Sequence, residues 1–339
     1  MAHAKLIRIL YAVNYRIVVG ADEAGYGPNL GPLVIGASAW LIPQDMSTEV
    51  FTSLMEGDFK TSSWQPGCQH IPLGDSKVLY QTASGLATLE AGLLALIKQL
   101  HPAVVELESL LQAVQFIEQP HSSVLDIVNA QPWYRDLNLL PVPGCHEGAE
   151  IDRLAATVQL RLEAMNIKLL GVRAIIVSET NFNTQVDRLG SKGQLLSIAT
   201  LQLVRSFCDQ PEVTAEIFCD RQGGRKNYLP ILLETFPDEW FIERSRTNKR
   251  CSYRNSGSPQ RDFHFTVGGD SFAPTALASM LCKYLRERLM ESLNNFWRGH
   301  LPQIRATAGY PVDAKRYRDE IAALAQKLNL EPEQWWRSR

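Results

Sequence analysis

The sequence has no Cys-X-X-Cys pair, no His-X-His or His-X-X-X-His pair, and no apolar run long enough to span a bilayer. The first two absences remove the usual zinc frameworks. The six scattered cysteines (Cys68, Cys145, Cys208, Cys219, Cys251 and Cys282) read as reduced thiols rather than a disulfide scaffold. The third absence argues against a membrane protein. Leu6 to Val13 is apolar but short, runs into Asn14-Tyr15-Arg16 and carries no small-residue cleavage site. A cytoplasmic location, with no membrane partner, is expected. Charge of one sign is also scarce: 34 Lys and Arg against 36 Asp and Glu give a net charge of −2. Any surface for a polyanion must therefore be a local concentration of cations. Internal repeats and a full glycine-rich phosphate loop are missing too, and Ser191-Lys192-Gly193 reads as the start of a helix.

What remains is 339 residues, 45% of them hydrophobic, enough for a sizeable core. Residues 16–21 (RIVVGA) and 33–40 (LVIGASAW) read as a first pair of strands, with Pro28 and Pro32 excluding a helix between them. Pro43 to Gly74 reads as loop with at most one or two helical turns, and a first clear helix is expected over about residues 84–99. From His101 to Ile167 the signals weaken, apart from an amphipathic helix in AEIDRLAATVQLRLEAMNI, and the stretch reads as a large insertion. Beyond it, KLLGVRAIIVSE reads as strand, SKGQLLSIATLQLVRSFC as helix, TAEIFCD and HFTVGGD as strands, and FAPTALASMLCKYLRERLMESLNNFW as a long helix. Strand, helix and strand in succession imply a parallel crossover. The expected fold class is α/β, with a main domain over residues 1–300, the insertion at about 101–167, and a helical C-terminal extension over 301–339. In that extension Trp335 and Trp336 read as packing residues, with a partner surface as the alternative.

Acids close three of these strands: Asp22-Glu23, Asp220 and Asp270. Functional groups gather at strand ends in open α/β sheets, so these four carboxylates are candidates for one spot. Convergent carboxylates suit Mg²⁺ or Mn²⁺, and two such ions about 3.5–4 Å apart can drive in-line attack on a phosphodiester. Taken singly, each acid also has a plainer reading: a helix cap for Asp270, a turn aspartate for Asp220, a solvated strand end for Asp22-Glu23. In a regular strand Asp22 and Glu23 point to opposite faces, so a twist or early exit between Gly20 and Gly25 is needed to bring both to one site.

GADEAGYGPNLGPLVIGA, LGDSKVL at 73–79, IFCD at 217–220 and GGDSFAPTALASMLCKYLRERLM at 268–290 occur in the order found in the type 2 ribonucleases H. GYPVDAKRYRDEI at 309–321 follows as it does there, and the chain resembles ribonucleases HII and HIII over about half its length. The resemblance implies a ribonuclease H-like, mixed five-stranded sheet flanked by helices. It places metal-binding, catalytic carboxylates at Asp22, Glu23, Asp220 and Asp270 with Mg²⁺ or Mn²⁺ as cofactor. The reaction implied is hydrolysis of the RNA strand of an RNA/DNA hybrid, or at a ribonucleotide embedded in DNA, leaving a 3′-hydroxyl and a 5′-phosphate. Gly25 and Gly27 let backbone approach a ribose, whose 2′-hydroxyl separates RNA from DNA. Lys77 offers charge to a phosphate, and Tyr310 reads either as a stacking platform or as core packing.

The sequence departs from the family at Tyr26, where arginine stands between the glycines, and at Thr307 and Ala308, where histidine and lysine stand. ERSRTNKRCSYRNSGSPQR, before Asp270, supplies a local concentration of charge in Arg244, Arg246, Lys249, Arg250, Arg254 and Arg261, with Tyr253 interleaved. It reads as a flexible loop that meets phosphates, or as a solvated loop with no such role. The expected protein is a monomeric endonuclease with a nucleic-acid partner. The rival readings are a non-cleaving nucleic-acid-binding protein on the same fold, and a small-molecule phosphatase, which lacks a recognisable nucleophile motif.

Overall fold

Alternation of Ile17, Val19 and Ala21 with Val18 and Gly20 buries the first strand on both faces and makes it the centre of the sheet. In the computed structural model, which describes residues 14–80, 85–116, 131–208, 213–222, 224–269 and 272–338, this strand is β1 (Tyr15–Ala24). It pairs antiparallel with β2 (Leu33–Pro43). There follow α1 (Thr48–Asp58), the two-residue parallel pair β3 (Phe59–Lys60) and β4 (Ile71–Pro72), α2 (Ser76–Leu79), α3 (Ala87–Ile97), α4 (Leu107–Val114) and α5 (Gly148–Ala164). Next come β5 (Lys168–Val177), α6 (Glu179–Leu189), α7 (Lys192–Cys208), β6 (Ala215–Asp220) and α8 (Leu229–Thr235). Strands β7 (Phe241–Arg246), β8 (Arg250–Asn255) and β9 (Arg261–Thr266) precede α9 (Ala273–His300), α10 (Pro311–Lys327) and α11 (Pro332–Trp335).

The result is the mixed α/β sheet flanked by helices that the sequence implies, but with seven strands in the order β5-β2-β1-β6-β9-β8-β7. Within this sheet, among the described residues, only β1–β6 and β6–β9 pair in parallel. β5 and β6 do run parallel, as the crossover rule expects, yet β2 and β1 stand between them. The extra strands correct the reading of the basic segment: it is the hairpin β7–β8, not a flexible loop. Cys251 and Tyr253 fill the core from β8 while Arg250 stays outside, so the stretch has an apolar face to bury. α1 is likewise longer than the one or two turns expected: Ser47 caps it, and Phe51 and Met55, one turn apart, are buried. Residues 1–13, and with them the whole Leu6–Val13 run, lie outside the described residues.

Two helical layers cover the sheet. α9 lies across β1 and β2 on one face, so closely that a Cβ on Gly20 would stand 2.1 Å from the Pro274 carbonyl carbon. Only glycine at position 20 admits this contact, and Ser38 Oγ secures it by donating to Pro274 O at 2.7 Å. α7 and α8 cover the opposite face, against Ile17, Val19 and Ala21. Within the stretch 101–167, α4 and α5 bury Leu107, Leu111, Ile151 and Val158 in the same core as α9. Among the described residues no helix is long and apolar enough to cross a membrane.

Candidate active site

Asp22 and Asp220 come together through strand register. Ala21 pairs with Cys219 across β1 and β6, so the next residues along these parallel strands are Asp22 and Asp220. Alternation puts Asp22 on the side of Gly20, against α9, and Asp220 on the side of Phe218, whose ring meets Phe272 at 4.2 Å between centroids. The Gly268 and Gly269 N–H groups donate to Asp220 Oδ1 at 3.1 and 3.2 Å, holding the chain that leaves β9 beside this carboxylate.

Glu23 is the next residue of β1, and pairing with β2 continues unbroken through Ala24. The early exit that would swing both acids to one side does not occur, and Glu23 departs on the opposite face from Asp22. It remains within electrostatic reach. Burial raises its carboxyl to about 8, the Asp22 and Asp220 charges push the same way, and the Lys77 ammonium opposes them. Such a crowd of acids is relieved by a cation, and its all-oxygen donors suit a hard divalent ion. Among the described residues no three His, Cys, Asp or Glu side chains lie close enough to hold an ion by themselves. Asp270, the fourth carboxylate of the expected set, lies outside the described residues.

Lys77 is placed by local capping. The Asp75 carboxylate accepts from Lys77 N at 2.8 Å and starts α2, and Ser76 Oγ meets Ser279 Oγ at 2.9 Å, tying the turn to α9. Gly25 has φ +90°, and a Cβ there would sit 2.5 Å from Pro32 O, so the loop after β1 requires glycine at this position. Gly27 is exposed, with nothing within 4 Å of where its Cβ would be. Tyr26 is half-buried under Lys192, whose ammonium stands 4.9 Å from the ring centroid. Its hydroxyl is raised by burial and by Glu23, with Arg225 acting in the other direction. Lys192 and Arg225 thus bring positive charge to the position where the resembled family carries arginine, from α7 and from the loop after β6.

Tyr310 is 56% exposed, which removes its core-packing reading, while Tyr317 of the same helix fills the core. It follows Gly309, whose carbonyl accepts from Asn29 N at 2.8 Å, so it stands beside the glycine loop. Thr307 and Ala308 serve the framework: Thr307 N donates to Asn294 Oδ1 at 2.9 Å, and Ala308 O accepts from Arg286 Nη2 at 2.9 Å. On the α1 side, a cleft of about 440 Å³ lined by Thr48, Phe218, Arg250, Thr266, Gly269 and Phe272 opens next to Asp220. The Arg250 guanidinium lies 5.8 Å from the Phe218 ring centroid.

The basic segment contributes less charge than its composition promises. Arg246 pairs with Glu243, Arg254 with Asp262 and Arg261 with Glu239, which leaves Arg244, Lys249 and Arg250 without an acidic partner among the described residues. Tyr253 is fully buried, and its hydroxyl accepts from Tyr228 N at 3.1 Å, so it offers no stacking surface. Sequence reasoning missed Lys192, Arg225, Arg286 and Arg337. Arg286 was hidden in an amphipathic helix, and Arg337 beside two tryptophans; Trp335 is buried, as expected.

No protein-family model matches the sequence, and no curated protein matches it either. Solved structures give remote likenesses. Ribonuclease HII of Archaeoglobus fulgidus, in complex with PCNA, is 12% identical with a TM-score of 0.39, over 95% of this chain and 94% of the other. Ribonuclease H2 of Pyrococcus horikoshii is 13% identical with a TM-score of 0.41, over 94% and 92%. RNase H3 of Aquifex aeolicus is 11% identical with a TM-score of 0.34, over 99% and 76%. Likenesses this remote decide nothing about activity, which has to come from the chain's own motifs and geometry.

Proposed function

We propose that this chain is a divalent-metal-dependent endonuclease that hydrolyses the RNA strand of RNA/DNA hybrids or cuts at ribonucleotides embedded in DNA. The observation that carries the reading is the meeting of Asp22 and Asp220 at the ends of neighbouring parallel strands under α9, with the Lys77 ammonium within electrostatic reach of Glu23. Asp22, Glu23, Asp220 and Asp270 would hold Mg²⁺ or Mn²⁺, which when bound supplies an activated water and stabilises the phosphate oxygens during attack. Lys77 meets a phosphate of the scissile strand. Gly25 and Gly27 bring backbone up to the ribose, where a side chain would keep it away. Tyr26, with Lys192 over its ring, borders the same loop. Tyr310 offers a face to a sugar or base, and Arg250 neutralises a phosphate in the cleft beside Asp220. The six free thiols fit a reducing, cytoplasmic setting.

Matched duplexes of DNA, RNA, hybrid and DNA with a single ribonucleotide, incubated with Mg²⁺, Mn²⁺ or chelator, test the reading. Cutting confined to ribonucleotide-containing strands next to DNA, and abolished by chelator, is expected. Tight, salt-sensitive binding without a product under either metal would instead identify a non-cleaving binder.

A further inference from the structure

The loop between β1 and β2 turns its carbonyl groups inward onto two buried guanidinium groups. Arg286, from α9, donates from Nη1 to Pro32 O at 2.8 Å and from Nη2 to Leu30 O at 3.2 Å. Arg337, from the segment after α11, donates from Nη1 to Gly25 O at 2.6 Å and Gly31 O at 3.4 Å, and from Nη2 to Tyr26 O at 3.3 Å. Its guanidinium stacks on Phe182 at 3.8 Å, and the side chain is fully buried. Burying an arginine is costly unless its donors are used, and here backbone carbonyls far away in sequence take up Nη1 and Nη2, while Nε is left without a partner among the described residues. The segment is also held independently of that side chain. Arg337 N donates to Asn29 O at 2.8 Å, and Asn183 Nδ2 donates to the carbonyls of Glu333 and Trp336 at 3.1 and 2.8 Å.

In a trans peptide the C=O and the following N–H point in opposite directions. Drawing the Gly25 and Tyr26 carbonyls onto Arg337 therefore directs the Tyr26 and Gly27 N–H groups away from the interior. Neither has an acceptor among the described residues. Two adjacent amides directed this way can receive oxygen atoms, and a Cβ on Gly27 would meet nothing within 4 Å. Behind them sit the guanidinium groups of Arg286 and Arg337, both within electrostatic reach of the buried Glu179 carboxylate, which accepts from the Tyr134 hydroxyl at 3.3 Å.

We infer that Arg337 is a positioning residue of the active site: from behind the glycine loop it fixes the Tyr26 and Gly27 amides toward the sugar–phosphate backbone of the bound strand. The positive charge that the resembled family exposes between its two glycines is here placed underneath them and acts through backbone. The inference rests on the proposed nucleic-acid substrate, and its test separates the two.

Hydrogen–deuterium exchange of residues 25–32 in Arg337→Ala, measured without nucleic acid, should accelerate at least tenfold and slow again when methylguanidinium, but not methylammonium, is added. Unchanged exchange would overturn the positioning role. With a hybrid duplex and Mg²⁺, KM should rise at least tenfold with kcat within threefold of the parent, again restored by methylguanidinium. A lowered kcat at unchanged KM would overturn it. Should Arg337→Ala not fold, Arg337→Lys keeps the charge but not the fork and should show the same KM effect in part; parent-like KM in that variant would also count against the inference. If the parent protein neither binds nor cuts hybrid, the substrate reading falls, and the exchange result alone decides whether Arg337 shapes the loop.

Discussion

Asp22 and Glu23 stand side by side in a strand that pairs without a break, so their side chains leave it on opposite faces while their charges still meet. Asp22 neighbours Asp220 across the boundary between β1 and β6, and the Glu23 carboxyl is raised to about 8 by burial first and by the two aspartates next. Around this trio, cations are placed singly rather than in a run. Arg250 is one of only three basic hairpin residues without an acidic partner among the described residues, and it lines the cleft beside Asp220. Arg250→Ala should weaken hybrid binding by a similar factor for every sequence and lower the slope of log K against log salt by about 1. Fluorescence anisotropy across a salt series measures both, and an unchanged slope would take Arg250 off the substrate path. Glu216 shows the opposite economy of charge. Burial alone would raise its carboxyl, but hydrogen bonds from His264, Thr48 and Arg16 outweigh that and hold it at about 2. A folded-state value below the ordinary 4.5 stabilises the protein above that pH, and the contribution disappears as pH falls toward 2. After allowance for solvent screening the loss is on the order of 2 kcal/mol. Chemical unfolding between pH 6 and 3 should show this slope in the parent and a flatter one in Glu216→Gln.

At the scale of elements, the site exists because α9 lies directly on β1. Gly20 is the contact point, and an alanine there meets Pro274 backbone at 2.1 Å, which neither side can relieve by rotating a side chain. Gly20→Ala should cost about 2–3 kcal/mol in denaturant unfolding. It should also impair cleavage, by lifting α9 from the strand that carries Asp22. Stability equal to the parent would mean that the helix is not seated as described. The β7–β8 hairpin illustrates how charge hides a strand. RCSYRN places Cys251 and Tyr253 in the core between exposed or half-exposed arginines, an alternation present in the sequence but masked by the surrounding Arg, Lys and Ser. By contrast β1, β2, β5, β6 and the long α9 are legible from apolar periodicity, because their burial follows from local pattern alone.

Across the whole molecule, legibility ends where a residue's role is set by partners remote in sequence. The carboxylates at strand ends could be read off the chain, since each closes an apolar run. Arg337 could not: its partners are backbone carbonyls 306 to 312 residues away, and no side-chain pattern announces them. The same holds for Lys192 over Tyr26, which joins the start of α7 to the glycine loop. The fold needs no covalent staple, as all six cysteines are free and four of them are buried. The thermal unfolding midpoint should therefore be the same with and without dithiothreitol, and a drop under reduction would reveal a crosslink at odds with this structure.

The central claim, that carboxylates meeting at the ends of β1 and β6 cut RNA paired with DNA, is tested most directly by Asp22→Asn on a hybrid duplex with Mg²⁺. The parent should release products ending in a 3′-hydroxyl and a 5′-phosphate, while Asp22→Asn, isosteric but uncharged, should be slower by about 10³-fold or more at comparable duplex affinity. Cleavage by Asp22→Asn at the parent rate would contradict the claim.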